Sequence, residues 1–150
     1  MRIWRRIFAS CCSAVVVACG SDAKQTPAPP ETSLSVRGAW ARAADSGAMT
    51  ALYFTLANDG ALADTLSKVA SEDAAVIQMH ISMQREGLMR MSPITALPVP
   101  PTDSVLFRPL GAHVMLTGLV RPLVPGDTVT ATLSFVSGAS VTVRAGVRAP

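Results

Sequence analysis

The sequence predicts an all-β domain, an antiparallel sandwich or barrel, and three observations predict it. In Asp127–Phe135, Val129, Ala131, Leu133 and Phe135 point one way while Thr128, Thr130, Thr132 and Ser134 point the other. That period of two marks a half-buried strand. Turn signals recur along the chain: Asn58-Asp59-Gly60, Glu86-Gly87, Pro100-Pro101-Thr102-Asp103 and Pro125-Gly126-Asp127. No stretch of ten or more residues carries a capped 3.6-residue period.

Taken in order, the chain begins with an address. Arg2, Arg5 and Arg6 form a positively charged start, and the apolar stretch Ile7 to Ala18 has 12 residues, against roughly 20 needed to span a bilayer. Residues 1–18 therefore read as a secretory signal peptide. The end, Val16-Val17-Ala18-Cys19, resembles the bacterial lipobox, and that resemblance implies cleavage before Cys19 and a diacylglycerol on its sulfur. Residues 19–33 are polar and Pro-rich, a semi-extended tether reaching on the order of 40 Å. The expected location is the periplasmic or cell-envelope face of a bacterial membrane, held by lipid.

Residues 34–150 form the expected folded domain. Strands are predicted at about 35–43, 51–58, 64–70, 75–83, 87–92, 104–108 and 112–117. They are followed by Asp127–Phe135 and, after the turn at Ser137-Gly138, a return strand carrying Val141, Val143 and Val147. No internal repeat is present.

Composition narrows the chemistry. The formal charge is +3, but from residue 19 onward ten basic residues face ten acidic ones. The mature body is neutral, which argues against a nucleic-acid partner. The three cysteines are Cys11, Cys12 and Cys19, so the domain has no disulfide, no thiolate nucleophile and no Cys-ligated metal. Any metal must take His, Met, carboxylate or backbone donors.

Only two histidines occur, His80 and His113, with Met49, Met79, Met83, Met89, Met91 and Met115 besides the initiator. On the strand 75–83, Ala75, Ile77, Met79, Ile81 and Met83 make an apolar face, and His80 stands opposite with Gln78 and Ser82. Met79 reads as core. On 112–117, His113 and Met115 share a face; residues i and i+2 lie about 6.5–7 Å apart, close enough to converge on one ion. Met89 and Met91 share a face across the Glu86-Gly87 turn. Met83 reads as core or its rim, and Met83 and Met89 are expected as spare thioethers close to the site. Imidazoles with thioethers and no thiolate match Cu(I), whereas Mg²⁺ or Ca²⁺ would want oxygen.

The spacing His80, ten residues, Met91, twenty-one residues, His113, one residue, Met115 resembles the H-x10-M-x21-H-x-M motif of the periplasmic copper chaperone family PCuAC. Trp40-Ala41-Arg42, Tyr53–Asn58, Gly87–Met91, Gly111–Leu116 and Leu119–Asp127 resemble its surrounding segments, so the likeness covers about 35–147. Ile81-Ser82 departs from it, standing where acidic or polar residues are expected. The resemblance implies a cupredoxin-like Greek-key β-sandwich that is not an enzyme. It also implies one Cu(I) held by His80, Met91, His113 and Met115. Delivery would run toward the CuA centre of cytochrome c oxidase, with the oxidase subunit carrying CuA and Sco-type thiol proteins as partners.

Other classes fit less well. A blue-copper carrier needs a Cys ligand, and hydrolase chemistry lacks a Gly-x-Ser-x-Gly or a carboxylate partner for either histidine. A plain interaction module, its methionines scavenging oxidant, does not account for the motif spacing. A lipid-anchored copper buffer or resistance protein, storing rather than delivering, shares every residue of the motif.

Overall fold

Alternating inward and outward side chains build ten strands in the computed structural model, which describes residues 33–149. The expected signal peptide and lipidation at Cys19, and the expected tether up to residue 32, lie outside the described residues. The strands are β1 (Leu34–Arg42), β2 (Met49–Asn58), β3 (Asp64–Ser71), β4 (Ala74–Arg85) and β5 (Leu88–Ile94). They continue as β6 (Leu97–Val99), β7 (Asp103–Phe107), β8 (Ala112–Leu119), β9 (Thr128–Phe135) and β10 (Ser140–Arg148). No helix occurs among the described residues, as the absence of a 3.6 period requires.

The strands join in one sheet in the order β5-β4-β8-β7-β2-β1-β10-β9-β3-β6, and β2 also pairs with β8. Both halves of this sheet contribute to a single core, which packs Leu52, Phe54 and Leu56 of β2 and Val114 and Leu116 of β8 with Leu66, Val129, Leu133 and Val143. The sheet thus folds over on itself as a sandwich, burying the apolar face of each strand. Phe54 and Phe107 stack at its centre with ring centroids 4.2 Å apart. Pairing is mainly antiparallel, but β1 and β10 run parallel, as do β7 and β8 at Phe107 and Ala112.

The structure departs from the sequence expectation in several places, with β2, β5 and β8 each reaching two residues beyond their expected bounds. β6 was not expected, because Pro98, Pro100 and Pro101 interrupt any strand pattern; it survives as a three-residue edge against β3, the place where proline costs fewest ladder bonds. β4 is longer than expected and ends at Arg85 rather than at residue 83. In β1 the register to β2 shifts between Arg37 and Trp40, where Gly38 sits at φ 62°. This bulge turns Arg37 and Trp40 to one face, since Arg37 pairs with Thr55 and Trp40 with Tyr53.

Candidate metal centre

β4 lies between β5 and β8, and its register brings three strands' chemistry to one face. His80 pairs directly with His113, Gln78 with Met115, and Ser82 with Met91. Directly paired residues project to the same side of a sheet, so His80, Met91, His113 and Met115 share the outer face. The inner face keeps Met79, 5% exposed, and Val114 and Leu116, both in the core. Alternation on two strands is therefore what separates the imidazoles from the packing residues.

The two imidazole rings lie 5.8 Å apart between centroids. His113 is only 4% exposed, and its Nδ1 lies 2.9 Å from the Gly111 carbonyl oxygen. With Nδ1–H donating to that carbonyl, the lone pair sits on Nε2. Nε2 of His113 and Nδ1 of His80 are both buried, and neither has a hydrogen-bond partner. A buried nitrogen without a partner is costly. Two such atoms on facing rings are what a bound cation would satisfy.

Burial, and then the nearby His113, hold the His80 imidazole below its ordinary pKa of 6.5. Two rings this close cannot both take a proton cheaply. The lowered pKa keeps His80 neutral near neutrality, the form that ligates.

The sulfurs differ in exposure. Met115 is half-buried, whereas Met91, on the outer strand β5, is 55% exposed. Met89 pairs with Gln84 and shares the face of Met91, closer to the hairpin turn. Met83 is a correction: it pairs with Arg90, projects to the face opposite His80, and is exposed. It is neither core nor gathered with the other thioethers. No group of three or more His, Cys, Asp or Glu among the described residues could hold a metal. An ion between His80 and His113 must therefore draw on thioethers, a soft donor set.

Two contributors escaped the sequence. The Gly111 carbonyl accepts from His113 and also from the Ser82 backbone N–H, 3.1 Å away. The turn that presents it holds Leu110 at φ 62°. Tyr53, buried, closes the other side of His113 with ring centroids 6.5 Å apart, and Trp40 lies 4.5 Å beyond it under the Arg148 guanidinium. Nothing in a one-dimensional pattern signals a carbonyl's role. The aromatic wall depends on pairing across β1, β2 and β8.

Comparison with known proteins bears on the family and the fold. The family model described as "Putative lipoprotein LpqE-like" matches residues 34–147. The "Putative lipoprotein Lxx21020" of Leifsonia xyli subsp. xyli is 30% identical over 125 residues, 83% of this chain and 75% of its own. Among solved structures, the copper-bound PCuAC domain from PmoF2 is 27% identical with a TM-score of 0.66, covering 82% of this chain and 97% of that one. The CuI form of DR1885 from Deinococcus radiodurans is 28% identical with a TM-score of 0.56, covering 84% of this chain and 85% of that one. On the extent of the family match and the fold shared with PCuAC domains, the chain belongs to the LpqE-like lipoprotein family.

Proposed function

We propose that the domain is an extracytoplasmic copper(I) chaperone that binds one Cu(I) through His80, Met91, His113 and Met115. The observation that carries this reading is the facing pair of imidazoles, each with a buried nitrogen that nothing bonds, on a face shared with thioethers. Copper-bound and CuI-bound relatives of the same fold support the choice of metal.

The ligand set suits transfer. Neutral imidazole and thioether donors hold Cu(I) less tightly than thiolates, so copper runs downhill to a Cys-bearing acceptor. They also form no disulfides in an oxidising compartment. Met91, the exposed ligand on the outer strand, is the donor an incoming acceptor reaches first. The acceptor we infer is the CuA centre of cytochrome c oxidase, reached with Sco-type thiol proteins, and the site of action is the periplasmic face of a membrane that holds the chain by a lipid on Cys19.

The test is a deletion strain grown at limiting copper. Oxidase activity and CuA occupancy should fall and return with the wild-type gene but not with His113→Ala. Unchanged CuA occupancy together with lowered copper tolerance would replace delivery by storage.

A further inference from the structure

We propose that the outer part of the β4–β5 hairpin and the turn beside it dock on an anionic phospholipid surface. This inference stands apart from copper binding. β8 begins at Ala112, paired with Ile81, and beyond that point β4 and β5 continue alone as a two-stranded ribbon. Its register sorts the side chains by face: Ser82 with Met91 and Gln84 with Met89 on one, Met83 with Arg90 and Arg85 with Leu88 on the other. One face carries thioethers. The other alternates apolar side chains with arginines.

At the ribbon's root the Ser82 N–H is bonded to Gly111, in the turn that presents Leu110. Leu88 is 62% exposed and Leu110 72%, beside Arg85, Arg90 and Arg108, with Glu86 the acidic residue of the hairpin turn. The ion pairs among the described residues join Arg37 to Asp59 and Arg121 to Asp73 and Asp127, so none uses these three arginines. A chain neutral from residue 19 onward thus concentrates positive charge around two projecting apolar tips. Leucines at the acyl boundary with guanidiniums at the phosphates is how a peripheral protein seats on an anionic interface.

Direction agrees. β8 is antiparallel to both β2 and β4, so the ribbon points the way β2 runs, toward Asn58. Leu34, which begins β1, is paired with Asn58. The chain preceding Ser33 therefore joins the domain at the end toward which the ribbon points. A stable protein interface takes roughly 800 Å² from each partner, whereas a lipid surface accepts a narrow projection.

Hydrogen exchange on the full chain in nanodiscs reads this directly, comparing discs of phosphatidylcholine alone with discs containing phosphatidylglycerol. Amides of Arg85–Arg90 and of the Leu110 turn should exchange more slowly on the anionic discs, and high salt should reduce the difference. The combined Arg85→Gln, Arg90→Gln and Arg108→Gln variant should lose the protection while core amides and Cu(I) titration stay as in wild type. Leu88→Ser, a single exposed change, should weaken it and serves if the triple variant folds poorly. Equal exchange on both discs would overturn the proposal and leave this face to a protein partner. Protection that is equal on both lipids and indifferent to salt would overturn it as well.

Discussion

His80 and His113 stand as direct partners across the β4–β8 ladder, and each keeps one buried ring nitrogen without a hydrogen-bond partner. The ladder's backbone bonds fix the spacing of the two rings, so the nitrogen half of the proposed site stands in place without an ion. The thioether half is divided between two strands. Met115 follows His113 on the same strand, while Met91 rides on the ribbon.

The first prediction separates the sulfurs from the fold. Met91→Ile and Met115→Ile keep apolar bulk and delete the ligand atom. Each should weaken Cu(I) by about tenfold or more, the equivalent of roughly 1.4 kcal/mol. Stability should fall by less than about 1.5 kcal/mol, and by least at exposed Met91. Competitive Cu(I) titration and thermal melts check both, and Met91→Ile binding as tightly as wild type would remove it from the ligand set.

A second prediction concerns the spare thioethers. In a variant lacking all four ligands, X-ray absorption should show residual copper–sulfur scattering only if Met89 substitutes, because Met89 shares the ligand face. Adding Met89→Leu should abolish that residue of scattering, and adding Met83→Leu should leave it unchanged.

The third is a tautomer. Because Nδ1 of His113 is engaged by the Gly111 carbonyl, ¹⁵N shifts of the apo protein at neutral pH should show the proton on Nδ1, and copper should perturb Nε2. A proton found on Nε2 would mean the ring is not set for ligation.

Acidity gives the fourth. His80 is held below 6.5 by burial and by His113, so protons compete with Cu(I) there only at pH values below the ordinary histidine range. Affinity should be nearly flat from pH 7.5 down to about 6.5 and fall below it. The apo fold follows the same sign: as pH drops below about 6.5 the unfolded chain takes a proton that the folded ring resists, so stability declines from there downward and is unaffected above. One half-buried ring makes that decline small. Circular dichroism recorded beside the titration should show a folded apo domain at pH 5.5, with affinity already reduced.

The fifth addresses the core. Phe54→Ala removes the ring stacked on Phe107 and should cost about 3–5 kcal/mol, measured by urea unfolding.

Much of this was legible in the residues. The period of two on β4 and β8 separates His80 from Met79 and His113 from Val114, and the structure keeps both separations. β9 and β10 follow their alternation and turn to within a residue or two. What stayed hidden depends on partners rather than on period. The parallel pairing of β1 with β10 leaves no local mark, because it joins segments about a hundred residues apart. Met83 obeys its strand's alternation, yet β4 has by then outrun the sandwich, so an inward position finds no core to enter.

The irregularity at Gly38 reaches further than its own strand. Before it the even-numbered residues Leu34 and Val36 turn inward; after it the inward residue is odd-numbered Ala41, fully buried. One additional residue reverses the parity of everything that follows. Were the ladder to run on from Arg37 without the bulge, Trp40 would fall opposite Leu52, its indole driven into the slot that now admits only an alanine methyl, and Tyr53 would lose its neighbour behind His113. The wall behind His113 is thus set by a bulge in a strand that carries none of the proposed ligands, and a substitution that irons the bulge out would read as a copper defect without touching a single donor atom.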